Sequence, residues 1–208
     1  IYGEIFIMLE VTPTRSVYLD LQEERIGMQE GYRFLDEKRL VLAAELLKEL
    51  KHYDSVMKEY MLLTSQAADS LKESVARHGL NGLGLYPSNR QAWGDLHSQS
   101  RSVLGVNVQQ ISIEEMQHEV KELAINASPE AEKTKQEFTQ LITLATSLAA
   151  VTANLVRLEN EYQKTSRRAR ALEDVLLPEI DQTLAQIDTA LEDMDKEEVV
   201  RVHYSQRP

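Results

Sequence analysis

Glu115-Met-Gln-His118 carries the Glu-x-x-His spacing with which helical di-iron sites put two ligands on one helix face. Such a site needs a second copy of the motif and two further Glu from facing helices. The other histidines, His52, His78, His97 and His203, are taken as solvated surface residues, and no metal is expected. Gly79-Leu-Asn-Gly82-Leu-Gly84 is rich enough in glycine to cradle a phosphate. No Gly-Lys-Ser/Thr follows it, and it ends a helical stretch rather than leaving a strand, the reverse of the context a phosphate loop needs. It reads as a flexible turn. No Ser/His/Asp set is recognisable, and without cysteine there is no thiolate nucleophile, thiolate metal site or disulfide. Neither catalysis nor a cofactor is expected.

Charge offers a different kind of chemistry. Between Arg157 and Arg170 five basic residues (Arg157, Lys164, Arg167, Arg168, Arg170) face two acids, Glu159 and Glu161. From Ala171 to Val200 ten acids face only Lys196. One reading is a solvated helix face. The other is a positive collar directed at an acidic partner surface. The chain as a whole carries a net charge of -11, with 34 acidic against 23 basic residues, which argues against nucleic acid as the partner. No run approaches 18 consecutive apolar residues, so no membrane span is expected. Ile1 to Leu9 is apolar but short, holds Glu4 and has no basic leader, unlike a signal peptide. Met8 is read as a candidate start, with Ile1–Ile7 an extension.

The elements that must position these residues follow from where the helix breakers lie. Between Gly31 and Gly79, and again between Pro129 and Pro178, there is neither Gly nor Pro. The breakers gather instead at Gly79, Gly82, Gly84, Pro87, Gly94 and Gly105. Two long arms therefore flank a broken centre, and both arms are helix candidates. In the first, steps of three and four from Tyr18 reach Leu21, Arg25, Met28, Tyr32, Leu35, Arg39, Leu42, Leu46, Glu49, Tyr53, Val56, Tyr60, Leu63, Ala67 and Ser70; twelve of these sixteen are apolar. In the second, the seam runs from Leu141 through Leu144, Leu148, Val151, Leu155, Leu158, Tyr162, Thr165, Ala169 and Leu172 to Leu176. It then takes two consecutive steps of four, to Ile180 and Leu184, before Ile187, Leu191 and Met194, and only Thr165 is not apolar. That extra residue is a phase shift, and Pro178 falls inside it, so a bend is expected there. Gly27 and Gly31, four apart on one face, fall opposite Pro178 if the hairpin is symmetric, and small residues there make room for the bend; a hinge is the alternative.

The expected architecture is all-α dominated: a long antiparallel two-helix coiled coil with a small irregular or β-hairpin middle segment. The expected division is an extension over 1–13, helix 1 over 14–78, a middle segment over 79–128, helix 2 over 129–200 and a tail over 201–208. Thr12-Pro13-Thr14 and Ser128-Pro129-Glu130 are the helix starts, and Gly79 is a stop. Each arm would measure about 95–110 Å at 1.5 Å per residue. Arg101 to Ile113 alternates around Gly105 as a hairpin does, and Glu114 to Asn126 is expected to add a helical turn or two.

Two sets of residues resemble a known family. The first is Pro13-Thr14-Arg15-Ser16 with Gly31-x-x-x-Leu35-x-x-Lys38-Arg39. The second is Arg167-Arg168-Ala169-Arg170-Ala171-Leu172-Glu173, then Pro178 and Leu191-Glu-Asp-Met-Asp-Lys-Glu-Glu198. Together they resemble the D subunits of the V-type or archaeal A-type rotary ATPases, over about 13–200. Arg170 stands where the family usually has Asn. Gly105-Val106 resembles the family's Gly-Val, although the middle segment is otherwise unlike it.

The resemblance implies a central rotor shaft with no active site of its own, carrying torque between the ATP-hydrolysing ring and the membrane ion-translocating rotor. It implies the ring's A and B subunits, the F subunit and a socket subunit above the membrane rotor as partners. It places the chain in the cytoplasm, peripheral to the membrane, without insertion. On this reading Arg167, Arg168 and Arg170 are the candidate contacts with the A/B ring. An unrelated coiled-coil scaffold or tether is the alternative.

Overall fold

The computed structural model describes residues 12–86, 93–115 and 127–205, without the side chains of residues 93–95 and 114–115. Helix α1 spans Arg15–Leu83, strand β1 Trp93–Val103, strand β2 Val106–Glu115 and helix α2 Pro129–Ala171. A π-helical turn, Leu172–Leu176, joins α2 to helix α3, Leu177–Ser205. The fold is all-α dominated: two long antiparallel helical arms with a small antiparallel hairpin between them in sequence.

The chain divides into two compact units: unit 1, Ile1–Arg39 with Gln163–Pro208, and unit 2, Leu40–Tyr162. Within unit 1, Arg15 pairs with Asp195, Arg25 with Asp181, and Gly31 faces Leu172, so residue numbers rise along one helix as they fall along the other. Within unit 2, Ser70 bonds Glu137, Ser74 meets Thr134, and Arg77 pairs with Glu130. Each unit is thus an antiparallel helix pair.

The seams are buried as the threes and fours require. All sixteen positions from Tyr18 to Ser70 are buried or half-buried, and of the second arm's sixteen only Leu176 and Met194 are exposed. The polar exceptions in the first seam are each paired. Arg25 bonds Asp181, Arg39 bonds Asp36, Glu49 faces Arg101, and Ser70 bonds Glu137. A buried polar group costs stability unless it finds such a partner.

Helix starts use side-chain caps. Thr14 Oγ1 accepts from the Val17 N–H at 3.3 Å, so α1 begins at Arg15 and Pro13 lies before it. Ser128 Oγ accepts from the Ala131 N–H at 3.2 Å, with Pro129, Glu130 and Glu132 in the first turn of α2. Gly79 leaves helical geometry at φ 68° and ψ 167°, and one further turn carries α1 to Leu83. At the other end α3 continues to Ser205, five residues past the expected 200, because no Gly or Pro interrupts it.

The hairpin turns through Leu104 and Gly105, whose φ values of 48° and 90° match the primed turn that suits the twist of paired strands. Strand β2 extends to Glu115, so Glu114 and Glu115 do not begin a helix as expected; residues 116–126 of that expectation lie outside the described residues. The strand wins there because Ile111 and Ile113 continue the alternation and keep pairing with Ser98 and Leu96.

Candidate functional site

In α2 the residues Thr165 and Ala169 fill the seam and are almost fully buried. At about 100° per residue, Arg168 and Arg170 then flank Ala169 on either side and Arg167 lies further round. All three are exposed. No carboxylate among the described residues pairs with them. This separates them from Arg15, Arg25 and Arg39, whose carboxylate partners lie within unit 1. Arg33 on α1 and Lys164 on α2, also in unit 1, are likewise exposed with no ion pair among the described residues. Nothing in the spacing of Arg33 marks it out. The fifth cation of the stretch, Arg157, is already engaged. It donates to Asn154 Oδ1 at 3.3 Å and to Gln109 Oε1 at 3.2 Å, so it serves the hairpin and not the collar.

The other family-motif positions lie nearby in unit 1. Ala171 is exposed, and Glu173 accepts a hydrogen bond from the Tyr32 phenol, which this bond and the carboxylate's charge hold above its usual pKa. Lys38 is half-buried. Leu172 opens the π turn, and the Leu177 N–H returns to the Leu172 carbonyl, five residues back. A π turn takes in one residue more than an α turn. That is the residue by which the seam slips between Leu172 and Leu184. Ile180, Leu184 and Ile187 are buried beyond it.

Pro178 is exposed on the first turn of α3, just past the π turn. Its missing N–H leaves one more carbonyl of that turn without the usual donor. A methyl added at Gly31 would meet Leu172 Cδ1 at 3.9 Å, ordinary contact, and one at Gly27 would meet nothing within 4 Å. Neither glycine is demanded by a close approach of chains.

The spacings that open the sequence do not assemble a ligand site. The glycine-rich stretch lies at the C-terminal end of α1, where the helix dipole repels an anion. Glu49-x-x-His52 on α1 repeats the Glu-x-x-His spacing, but Glu49 lies 3.7 Å from Arg101. Among the described residues no three His, Asp or Glu side chains cluster as metal ligands would; His118 lies outside them. His78 is not a solvated residue. It is half-buried, its Nε2 is 2.6 Å from Ser128 Oγ, and its ring meets Tyr86 edge-on at 5.6 Å.

A polar site that the periodicity does not reveal lies in unit 2. The Asn154 amide is buried and reads one residue of β2 on both sides. The Gln109 N–H donates to Asn154 Oδ1 at 2.9 Å, and Asn154 Nδ2 donates to the Gln109 carbonyl at 2.7 Å. Arg101 on β1 donates to Glu45 and lies 3.7 Å from Glu49. The Arg101 hydrogen bond holds the Glu45 carboxyl below its usual pKa against the opposing effect of burial. One signal for this site was present: Asn154 is the most polar residue in the charge-free stretch from Leu141 to Val156.

That stretch also bears on the membrane. One 18-residue window within Pro129–Ser205 is long and apolar enough to cross a bilayer by length and composition, although no unbroken apolar run reaches that length. Thr and Ser interrupt the run without adding charge, and this is why counting consecutive apolar residues passes over it.

A family model described as that of the ATP synthase D subunit matches residues 18–207. The V-type ATP synthase D subunit of Thermotoga neapolitana is 26% identical over 195 residues, covering 93% of this chain and 96% of that protein. The A-type ATP synthase D subunit of Pyrococcus furiosus is 27% identical over 203 residues, covering 94% and 92%. The A-type ATP synthase D subunit of Pyrococcus horikoshii is 25% identical over 198 residues, covering 94% and 92%.

Proposed function

The chain belongs to the family of ATP synthase D subunits, and on that premise we propose that it is the central rotor shaft of a V-type or A-type ATPase. In this reading it holds no catalytic site. It carries torque between the ATP-hydrolysing A/B ring and the rotor that moves ions through the membrane. The F subunit binds alongside, and a socket subunit receives the membrane-side end. The chain is peripheral to the membrane, on the cytoplasmic side, and does not insert.

The observation that carries the reading is the family match across residues 18–207, which takes in both helical arms rather than one local motif. The physical character of the chain supports it. A shaft needs stiffness and a surface the ring can push. Helix pairing along two sixteen-position seams offers the first. Three exposed arginines with no carboxylate partner among the described residues offer the second. Helix pairing takes up part of the apolar stretch of α2: Leu141, Leu144, Leu148, Val151 and Leu155 are buried or half-buried, while Ile142 and Val156 remain exposed.

The tagged protein, drawn from its native lysate, is expected to bring the A and B ATPase subunits and the F subunit with it. A clean preparation lacking all of them, from a lysate shown to contain the complex, overturns the reading in favour of a generic coiled-coil scaffold. Within an assembled complex, Arg167→Glu, Arg168→Glu and Arg170→Glu together are expected to reduce ATP-driven torque while the chain stays folded, because they substitute repulsion for attraction at an acidic surface. Unchanged rotation removes the collar from the mechanism.

A further inference from the structure

We propose that the β1–β2 hairpin is a strap that locks the axial register of α1 against α2 within unit 2. The two ties lie on neighbouring rungs of the hairpin, where Ser100 pairs with Gln109 and Arg101 with Val108. From one rung Arg101 reaches Glu45 and Glu49, one turn of α1. From the next, Gln109 is held by Asn154 through both backbone groups and by Arg157 through its side chain, one turn of α2. Val106 and Val108 are buried in the same cluster as Leu42 of α1 and Leu158 of α2, with Val103, Leu46 and Tyr162 packed around it. The hairpin therefore touches both helices at one level, by apolar contact and by directional bonds.

The apolar contact alone does not select that level. A seam of large apolar residues repeating by threes and fours looks similar after a slip of one repeat, and buried polar residues are what specify register in such pairs. A slip of one turn, about 5.4 Å, carries Asn154 away from Gln109. It strands the buried Asn154 amide together with the half-buried N–H and carbonyl of Gln109, for which no other partner is seen among the described residues. A covered polar group left so is costly. The same slip takes Glu45 and Glu49 off Arg101. The ties thus convert a periodic seam into one with a single low-energy setting. The inference rests on contacts inside unit 2 and stands or falls apart from the shaft reading.

The chain has no cysteine, so spin labels can be placed cleanly at Asp54→Cys on α1 and Gln136→Cys on α2, both exposed and both in unit 2. Ser70 meets Glu137, so the two sites are offset by roughly 25 Å along the helix axis and an axial slip changes their distance almost one for one. In the otherwise unaltered full chain the label-to-label distance is expected to be single and narrow. With Arg101→Gln and Asn154→Leu it is expected to broaden or to gain a population displaced by about 5 Å or more, one helical turn. Asn154→Leu alone, which keeps the bulk at that position, is expected to do the same to a smaller extent and serves if the double variant does not fold. Val108→Ala loosens the apolar contact and leaves both ties, and is expected to lower the melting temperature with the distance unchanged. A distance as narrow in the folded tie variants as in the parent overturns the proposal. So does equal broadening by Val108→Ala, which would make packing, not the ties, the source of the register.

Discussion

Unit 2 fills its seam with Leu42 and Leu158, both wholly buried, and lays a hairpin across them. Unit 1 fills the nearest stretch of its own with Thr165 and Ala169, and then spends one residue on a π turn before Ile180, Leu184 and Ile187 resume burial. Its inter-helix ion pairs, Arg15–Asp195 and Arg25–Asp181, are solvent-exposed. Such pairs contribute about 0–1 kcal/mol each. The two units thus solve the same problem, pairing two antiparallel helices, with different reserves. One is tied by buried volume and directional bonds. The other has small seam residues, an irregular turn and arginines without a carboxylate partner among the described residues. A register error is therefore costly in the first unit, and a one-residue change near the π turn is cheap in the second.

Single-residue deletions test this contrast most severely. Removing Thr152, an exposed residue on a regular stretch of α2, turns every later residue by about 100° relative to those before it. Asn154 and Leu158 then leave their partners, and the chain is expected to lose several kcal/mol of stability or to fail to fold. Removing Val175, exposed within the π turn, lets that turn become a regular α turn while Ile180 and Leu184 keep their face. Urea unfolding is expected to place this second deletion within about 1 kcal/mol of the parent. Comparable losses from the two deletions would mean that the π turn holds no spare residue.

A milder probe compares buried volume. Leu42→Ala removes a side chain with no solvent exposure from a cluster that the hairpin closes over, and is expected to cost about 2–5 kcal/mol in equilibrium unfolding. Ala169→Gly, equally buried in unit 1, removes a single methyl, and its cost is expected to come mainly from helix propensity, about 1 kcal/mol. A loss at Leu42 no larger than that at Ala169 would break the comparison, since the leucine pair would then be no anchor.

The seams were legible because burial in a helix pair follows the 3.6-residue period alone, and nothing but the identity of Tyr18, Leu21 and their successors is needed to find it. The slip between Leu172 and Leu184 was legible for the same reason. That it takes the form of a π turn is a matter of backbone hydrogen bonding, to which periodicity is blind. Strand pairing to Glu115 was missed because the alternation of Ile111 and Ile113 stops being informative where Glu114-Glu115 begins. The Asn154 tie was hidden more deeply. Its partner is a backbone group of a residue 45 positions away, and backbone groups leave no mark in a sequence. Arg157 shows the converse error: counted by charge it belongs with Arg167, Arg168 and Arg170, yet its hydrogen bonds assign it to the hairpin.

The smallest expected effect concerns acid. Glu45 is faced by Arg101 from β1 and by Lys48 from its own helix, with Glu49 one turn on, and its folded pKa lies below the ordinary 4.5. A carboxyl whose pKa falls on folding binds fewer protons folded than unfolded, so its contribution to stability is present above about pH 4.5 and is lost as pH drops through the folded value. The ion pairs Arg15–Asp195 and Arg25–Asp181 between the helices of unit 1 use carboxylates more exposed than the half-buried Glu45, and the half-buried Asp36 of that unit pairs with Arg39 of its own helix. Amide exchange should therefore rise in residues 42–49 and 154–158 before it rises in residues 180–187 as the solution is acidified below pH 4.5. Arg101→Gln should abolish that ordering by returning Glu45 toward its ordinary pKa. Simultaneous loosening of both stretches in the parent would show that Glu45 contributes nothing distinctive to the strap.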